Sequence, residues 1–310
     1  MTRAASIGAP PVRSVLAGGR RHFQHGPIDL VIEALGAPDE VGLAYEQAWT
    51  RFQSVLAELV DELTQLRQPV RNDGLQGPIA LAMRDACAAH KDVFVTPMAA
   101  VAGAVADAVL AALTAGRRLK KAYVNNGGDI ALYLAPGQSF RTGIVTLGET
   151  PSFDGRTDIA ASSGVRGIAT SGWRGRSYSL GIADSVTVLA ANAAMADVAA
   201  TLIANAVDLE DAAIKRAPAV SLDPDSDLGG RPVTIEVCPL PPDCVERALA
   251  NGICVAEKMI ERGLIAGALL TLQDRSLSVG CDGASLGTDR GFIVHGMAGL
   301  PLAGGIEARN

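Results

Sequence analysis

The chain has 310 residues, a formal net charge of −6 and an isoelectric point near 5.3. The acidic balance lacks the positive footprint that general nucleic-acid binding needs, while leaving a local anion site open. Hydrophobic residues make up 48%, ample for a packed core in one large domain or two small ones, and the 4% of aromatics points to a core of small aliphatic side chains.

The five cysteines are Cys87, Cys238, Cys244, Cys254 and Cys281, with no C-x-x-C among them. Neither a disulfide framework nor a zinc site is suggested. They read as free, buried small hydrophobes in a reducing compartment. Residues Met1–Phe23 hold no secretory apolar run and no lipid-attachment cysteine, so a cytoplasmic protein is expected. The longest apolar stretches are interrupted by Asp107 or Asp197, and none reads as a membrane span.

Residues 1–21 read as a flexible arm and 22–310 as one domain. Ile28–Leu35 reads as a strand. Asp39–Leu66 predicts a long helix with Leu43, Ala48, Phe52, Val55, Leu59 and Leu63 inward. Gln68–Gly77 is a loop and Pro78–His90 a short helix. Thr96 and Pro97 are suited to start a helix over Met98–Ala115, apolar nearly all round and therefore buried. Strands follow at Lys121–Asn125, Ile130–Leu134, Arg141–Leu147, Gly167–Thr170 and Ser185–Ala190. Asn192 caps a helix over Ala193–Val207. Pro218–Pro232 is a polar loop, Val233–Cys238 a strand and Asp243–Arg262 a helix. Leu264–Asp274 and Ser276–Gly280 form a hairpin-like pair, before a Gly-rich tail from Gly283. No repeat of fixed period is visible. Helices and strands mix without βαβ alternation, which favours an α+β fold.

Four places hold candidate chemistry. In Asn125-Asn126-Gly127-Gly128-Asp129, two glycines after a strand let the backbone approach a ligand and offer N–H groups to phosphate or carbonyl oxygens. The same residues also suit an ordinary hairpin turn. Asp197, Thr201 and Asn205 recur every fourth residue and form one polar stripe on an Ala-rich helix. A carboxylate and a hydroxyl one turn apart suit a hard cation such as Mg2+; a buried carboxylate bonded to backbone is the alternative. Ser171-Gly172-Trp173-Arg174-Gly175-Arg176 offers an anion cradle or a solvated loop. Ser171 lacks the G-x-S-x-G setting of an activated nucleophile. Asp107, alone on an apolar helix, needs a partner. His22, His25, His90 and His295 show no ligand spacing, and no dinucleotide fingerprint occurs.

The order of these pieces resembles the ApbE superfamily, whose best-known members are FAD:protein FMN transferases. Its Asn-x-Gly-Gly-Asp-Ile is matched by Asn125–Ile130, and its Ala-Thr-Ser-Gly by Ala169–Gly172. Its strand followed by Ala-Asp-x-x-x-Thr is matched by Ser185–Val188 and then Ala196, Asp197 and Thr201. The resemblance is clear over about residues 95–210 and looser elsewhere. It implies a single α+β domain with mixed or antiparallel sheets packed by buried Ala-rich helices. It also implies Mg2+ at Asp197 and Thr201, and FAD or FMN as a cofactor held by Asn125, Asn126, Gly127, Gly128, Asp129, Ser171, Gly172, Arg174 and Arg176.

Two departures narrow what carries over. The transferases have His-x-x-Asp-Pro where this chain reads Ser177–Asp184, and a Lys-Gly-Tyr-Ala segment where the corresponding helix reads Met98–Asp107, with no lysine. The variant set looks like a divergent branch found in archaea and bacteria, linked in some lineages to sulfur assimilation or one-carbon cofactor metabolism. Standard FMN transfer is therefore not expected. The expected function is binding of a phosphate-bearing cofactor or metabolite, a flavin nucleotide or a pterin, with Mg2+ and with group transfer as the reaction. The alternatives are a non-catalytic cofactor-binding protein and a sulfur or one-carbon accessory protein. A homodimer is compatible with the apolar fraction; no nucleic-acid or membrane partner is expected.

Overall fold

The computed structural model describes residues 9–70, 74–146, 152–280 and 284–287. Strand β1 (Val12–Val15) is followed by the hairpin β2 (Arg21–His25) and β3 (Ile28–Gly36), then by α1 (Pro38–Asp61), α2 (Leu63–Leu66) and α3 (Pro78–Ala88). Helix α4 (Val101–Thr114) leads into a second hairpin, β4 (Leu119–Asn126) and β5 (Asp129–Leu134). After β6 (Ser139–Thr146) and β7 (Ser152–Ala160) the pattern recurs: β8 (Gly167–Ser171), β9 (Ser185–Ala190) and α5 (Ala193–Ala206). An insertion of β10 (Ile214–Pro218), α6 (Ala219–Leu222) and β11 (Pro232–Val237) precedes α7 (Pro242–Glu261), β12 (Gly267–Leu272), β13 (Arg275–Gly280) and β14 (Ala284–Gly287).

Each half thus reads hairpin, two main helices, hairpin. The halves join edge to edge in one nine-stranded sheet of order β1-β2-β3-β4-β5-β8-β9-β12-β13, antiparallel throughout. The seam is short, with only Ile130 opposite Ile168 and Ala131 opposite Gly167. The duplication lies in topology alone, which is why the sequence shows no period.

The helices line one face in the order of the strands. Helix α1 packs on β2 and β3, α4 on β4 and β5, α5 on β8 and β9, and α7 on β12 and β13. Helix α1 begins with Pro38 and carries Asp39 and Glu40 in its first turn, both favourable at a helix amino end. It buries Ala44, Tyr45, Ala48, Phe52, Val55, Leu56 and Leu59, a three-and-four spacing that turns one face to the sheet. Truncating the fully buried Phe52 to Ala should cost about 3–5 kcal/mol.

The opposite face of the sheet meets β6-β7-β14 through a smaller cluster of Leu132, Leu134, Ile159, Val165, Ile168, Leu189 and Leu269. The fold is α+β, with antiparallel sheets and buried Ala-rich helices.

Several expectations need correction. Leu43 is 53% exposed; the core face of α1 runs through Ala44 and Tyr45 instead. Val12–Val15, expected within a loose arm, pairs with Arg21–Gln24. All four of its side chains are exposed, so no hydrophobic alternation marked it. Residues 1–8, Cys281 and His295 lie outside the described residues. Thr96 precedes the 3-10 turn Pro97–Ala100 without capping it; its hydroxyl donates to Asp227. Pro218 pairs with Pro232 across a hairpin, so the loop between them is a closed excursion containing α6. By length and composition Pro97–Thr114 does reach the threshold for a bilayer-crossing helix. Here that stretch packs against α1, α3, α5, β4 and β5, the setting of a core helix.

Candidate functional site

The seam between the halves brings the sequence motifs together. Strand β4 ends at Asn126 and β5 begins at Asp129, so Gly127 and Gly128 make the whole turn. Gly127 has a φ of 67°, a left-handed conformation that a side chain disfavours. The Asn125 Oδ1 accepts from the Gly128 N–H at 2.9 Å and closes the turn. Asn126 is buried and its Nδ2 donates to the Ala102 carbonyl at 3.1 Å. The turn is thereby tied to the amino end of α4.

Asp129 opens β5 and reaches across the seam, its Oδ1 accepting from the Thr170 N–H at 3.3 Å. Desolvation raises its pKa to about 7 against that hydrogen bond. Asp197, from α5, accepts from the Gly103 N–H at 3.0 Å and is also held by the Ala102 N–H. Desolvation first, then repulsion from Asp129, pushes its pKa well above the usual carboxylate range. Asp107, from α4, accepts from Ala193 N–H at 3.1 Å and Ala194 N–H at 2.9 Å. Burial raises it to about 6 despite those bonds. All three residues are half-buried.

Helices α4 and α5 come this close because small residues meet. A Cβ on Gly103 would lie 2.2 Å from the Ala193 carbonyl oxygen, so only glycine fits. Asn192 caps α5 as expected, its Oδ1 accepting from Met195 N–H at 2.8 Å. Two orphan N–H groups of α5 thus go to Asp107 and a third to Asn192, leaving few unsatisfied.

The polar stripe of α5 divides. Asp197 faces α4 and Thr201, one turn on, is half-buried. Asn205 turns to the loop before β9, its Oδ1 accepting from Leu180 N–H at 2.9 Å and Ser179 Oγ at 3.2 Å.

The two arginines also divide. Arg174 Nε donates to Asp184 Oδ1 at 2.7 Å and its guanidinium lies 4.5 Å from the Trp173 ring centroid. Asp184 also accepts from Trp173 Nε1 at 3.1 Å and from the Gln273 N–H. Arg174 is therefore a bracing residue at the rim. Arg176 is exposed and lies over the turn, its Nη1 3.1 Å from where a Gly127 Cβ would sit. Among the described residues no carboxylate is in ion-pair contact with it. Ser171, half-buried, ends β8 opposite Val186, and Gly172 packs against the Asp184 carbonyl.

The structure thus gathers Asn125–Asp129, Thr170, Arg176, Asp107 and Asp197 at one place and sends Asn205 elsewhere. Sequence reasoning named Thr170 and Asp184 only within longer segments, without a role of their own, and gave none to Gly103. Gly103 alone carried a signal, as a glycine inside a buried helix.

Neither Cys87 nor Cys238 is activated. Burial holds Cys87 far above the ordinary thiol range, with the Asp197 charge adding to it. The Glu236 hydrogen bond raises Cys238. Cys244 is buried and Cys254 exposed, both free. A reactive thiol needs a lowered pKa.

A family model described as AbpE bacteria matches residues 13–283. The chain belongs to this ApbE-like family. Among similar proteins, a UPF0280 protein of Methanothrix thermoacetophila is 40% identical over 113 residues, 36% of this chain and 46% of that protein. A UPF0280 protein of Methanopyrus kandleri is 40% identical over 106 residues, 34% of this chain and 40% of the other. One of Methanothermobacter thermautotrophicus is 37% identical over 131 residues, 39% and 46% of the two chains. The chain spans less than half the length of these curated relatives. Among solved structures, a variant of the flavin transferase ApbE from Vibrio cholerae is similar with a TM-score of 0.41 and 14% identity. The match covers 87% of this ApbE-like chain and 97% of that one, and a likeness that weak does not bear on the site.

Proposed function

We propose that this ApbE-like protein binds a phosphate-bearing cofactor or metabolite, a flavin nucleotide or a pterin, together with Mg2+ at the seam between its halves. One observation carries the reading. An under-paired guanidinium, Arg176, lies over a glycine turn whose last residue, Asp129, repels the nearby Asp197. An anion-seeking group beside a carboxylate pair short of positive charge matches a metal–phosphate complex.

The residues fit a hard cation. Burial raises both Asp129 and Asp197, and the Asp129 charge raises Asp197 further; a divalent ion would supply the missing counter-charge. Among the described residues no three acidic, His or Cys side chains assemble into a metal-holding group. Asp197 and the Thr201 hydroxyl would therefore be the protein ligands, with phosphate oxygens and water completing the shell, as is usual for Mg2+. Mg2+ would neutralise phosphate charge during group transfer. Gly127 and Gly128 would let the ligand approach the backbone, and Arg176 would pair with its phosphate. Ser171 and Gly172 would form the opposite lip.

A second reading, a binding protein without chemistry, is favoured by the Ser177–Asp184 segment. It contains no histidine, and its Asp184 is committed to Trp173, Arg174 and Gln273. A cytoplasmic setting belongs to the same proposal, supported by the free thiols Cys87, Cys238, Cys244 and Cys254.

The test is thermal unfolding of the purified protein with FAD, FMN, ADP and a pterin, each with Mg2+ and with chelator. A ligand at about 100 times its Kd should add roughly 2.7 kcal/mol. A Mg2+-dependent shift with a flavin nucleotide or the pterin is expected; no shift with any of the four contradicts the reading. Products are then sought after long incubation with FAD. Release of AMP with the FMN group bound to an acceptor supports transfer, AMP with free FMN supports hydrolysis by water, and unaltered FAD supports the binding reading.

A further inference from the structure

A cleft of about 450 Å3 lies away from the seam and shares no lining residue with it. Its volume lies within the range of small-molecule pockets, roughly 300–1,000 Å3. Arg67, Phe94, Asp225, Asp227 and Arg231 form its walls. Arg67 directly follows α2, Phe94 lies just before the 3-10 turn that leads into α4, and the other three come from the excursion between α6 and β11.

That excursion is closed and braced. The Ala219 N–H donates to the Arg231 carbonyl at 2.9 Å and the Val220 N–H to the Gly229 carbonyl at 2.8 Å. Within it the Asp225 N–H donates to Asp223 Oδ1 at 3.0 Å. Asp227 accepts from the buried Thr96 hydroxyl, which anchors the excursion to the segment entering α4. The cleft wall is therefore set by backbone contacts before any ligand arrives.

The charges in the cleft are unevenly used. Asp227 is committed to Thr96. Arg231 lies over the Phe94 ring, 3.2 Å from its centroid, so one face of the guanidinium is stacked. Among the described residues its edge reaches only the Leu228 carbonyl, at 3.4 Å. Arg67 meets Asp225 at 3.8 Å, and that carboxylate is 80% exposed, so the pair is loose and screened by water. Two guanidinium edges, each a planar set of donors, thus line one cleft without a close acidic partner among the described residues.

We propose that this cleft is a second binding site for a small oxyanion, a carboxylate or a phosphate group, gripped by Arg231 and Arg67. Arg231, set over the Phe94 ring, would offer its edge for two parallel hydrogen bonds. Arg67 turns from the exposed Asp225 to the ligand. The site is independent of the seam reading, because it uses none of the seam's residues and needs no metal.

The experiment is calorimetric titration of the full chain, in chelator, with inorganic phosphate and separately with succinate. Saturable binding of at least one probe below about 10 mM is expected. Phosphate alone identifies a phosphate ligand, succinate alone a carboxylate ligand, and both a general oxyanion site. Arg231→Gln should weaken the binding about tenfold or more, as loss of a bidentate contact does. Arg231→Lys should weaken it too, because the charge remains but the planar fork is lost. Arg67→Gln, at a loose and partly exposed pair, serves if the Arg231 variants fail to fold, and should also weaken binding. Arg176→Gln should leave it unchanged. Absence of saturation with both probes overturns the proposal. So does binding that survives loss of the cleft arginines, or that disappears with Arg176.

Discussion

Asp107 and Asp197 exchange helix caps. Asp107 of α4 takes the Ala193 and Ala194 N–H groups that open α5, and Asp197 of α5 takes the Gly103 N–H near the start of α4. Each carboxylate meets the positive end of the partner helix. Because α4 belongs to one half of the molecule and α5 to the other, the exchange also locks the halves across their short strand seam.

Asp107→Ala should therefore destabilise the protein by about 1–2 kcal/mol, the usual cost of losing a cap. Asp107→Asn keeps an acceptor oxygen and should lose less. Urea unfolding of the three proteins at one pH measures the difference.

The acidic cluster sets a pH dependence. Asp107 titrates near 6 and Asp129 near 7 in the folded chain, both raised by desolvation. A raised carboxylate binds its proton more tightly folded than unfolded, so the folded state is favoured at low pH. Stability drawn from that preference falls as pH rises from about 4, where the unfolded groups ionise, to about 7, and is flat above. In metal-free protein Asp129→Asn should remove part of this slope and raise stability at pH 8, by up to about 4 kcal/mol from the size of the shift. Unfolding free energies at pH 5 and pH 8 in chelator provide the check. A steeper slope in the variant would contradict the assignment.

Gly103→Ala should be among the most damaging small substitutions in the chain. Its Cβ would sit 2.2 Å from the Ala193 carbonyl oxygen and 2.7 Å from the Ala194 nitrogen, both backbone atoms that cannot swing aside. Helices α4 and α5 must separate, costing about 3 kcal/mol or more and loosening both caps. A matched Ala104→Gly substitution, at a buried position on the same helix, should cost only about 1 kcal/mol from helix propensity plus a small lost contact. Chemical unfolding of the pair separates steric clash from mere sensitivity of α4.

The two arginines after β8 should behave differently. Arg174→Gln leaves Asp184, which is almost buried at 8% side-chain exposure, without its charged partner and should lower stability by about 1–3 kcal/mol. Arg176→Gln removes no ion pair among the described residues and should leave stability within about 0.5 kcal/mol, while weakening binding of the seam ligand. Paired melting curves and ligand titrations on both variants distinguish bracing from binding.

Much of this was legible in the residues. The glycine turn at 127–128 could be read because only certain residues tolerate it, and Asn192 because its capping partner, Met195, lies three residues away. Local chemistry leaves local signals. The exchange of caps leaves none, since its hydrogen bonds join residues 86 to 94 positions apart. A lone Asp107 on an apolar helix announces that it needs a partner but not which one. Arg174 and Arg176 look equivalent in sequence; only the fold puts Asp184 under the first and the Gly127 turn under the second. Strand β1 was missed because its four side chains are exposed and show no hydrophobic alternation, and Leu43 misled because an apolar residue one position off the stripe looks like part of it.

The central claim is that the carboxylates and Arg176 at the seam serve one metal–phosphate ligand. Its most direct test is calorimetric titration of FMN and FAD into the wild-type chain and into Asp197→Asn, with Mg2+ and with chelator. The account predicts Mg2+-dependent binding to the wild type and at least a tenfold loss in Asp197→Asn, with the variant still folded by circular dichroism. Flavin binding that is indifferent both to Mg2+ and to Asp197, or no binding of either flavin to the wild type, would contradict a metal–flavin phosphate site.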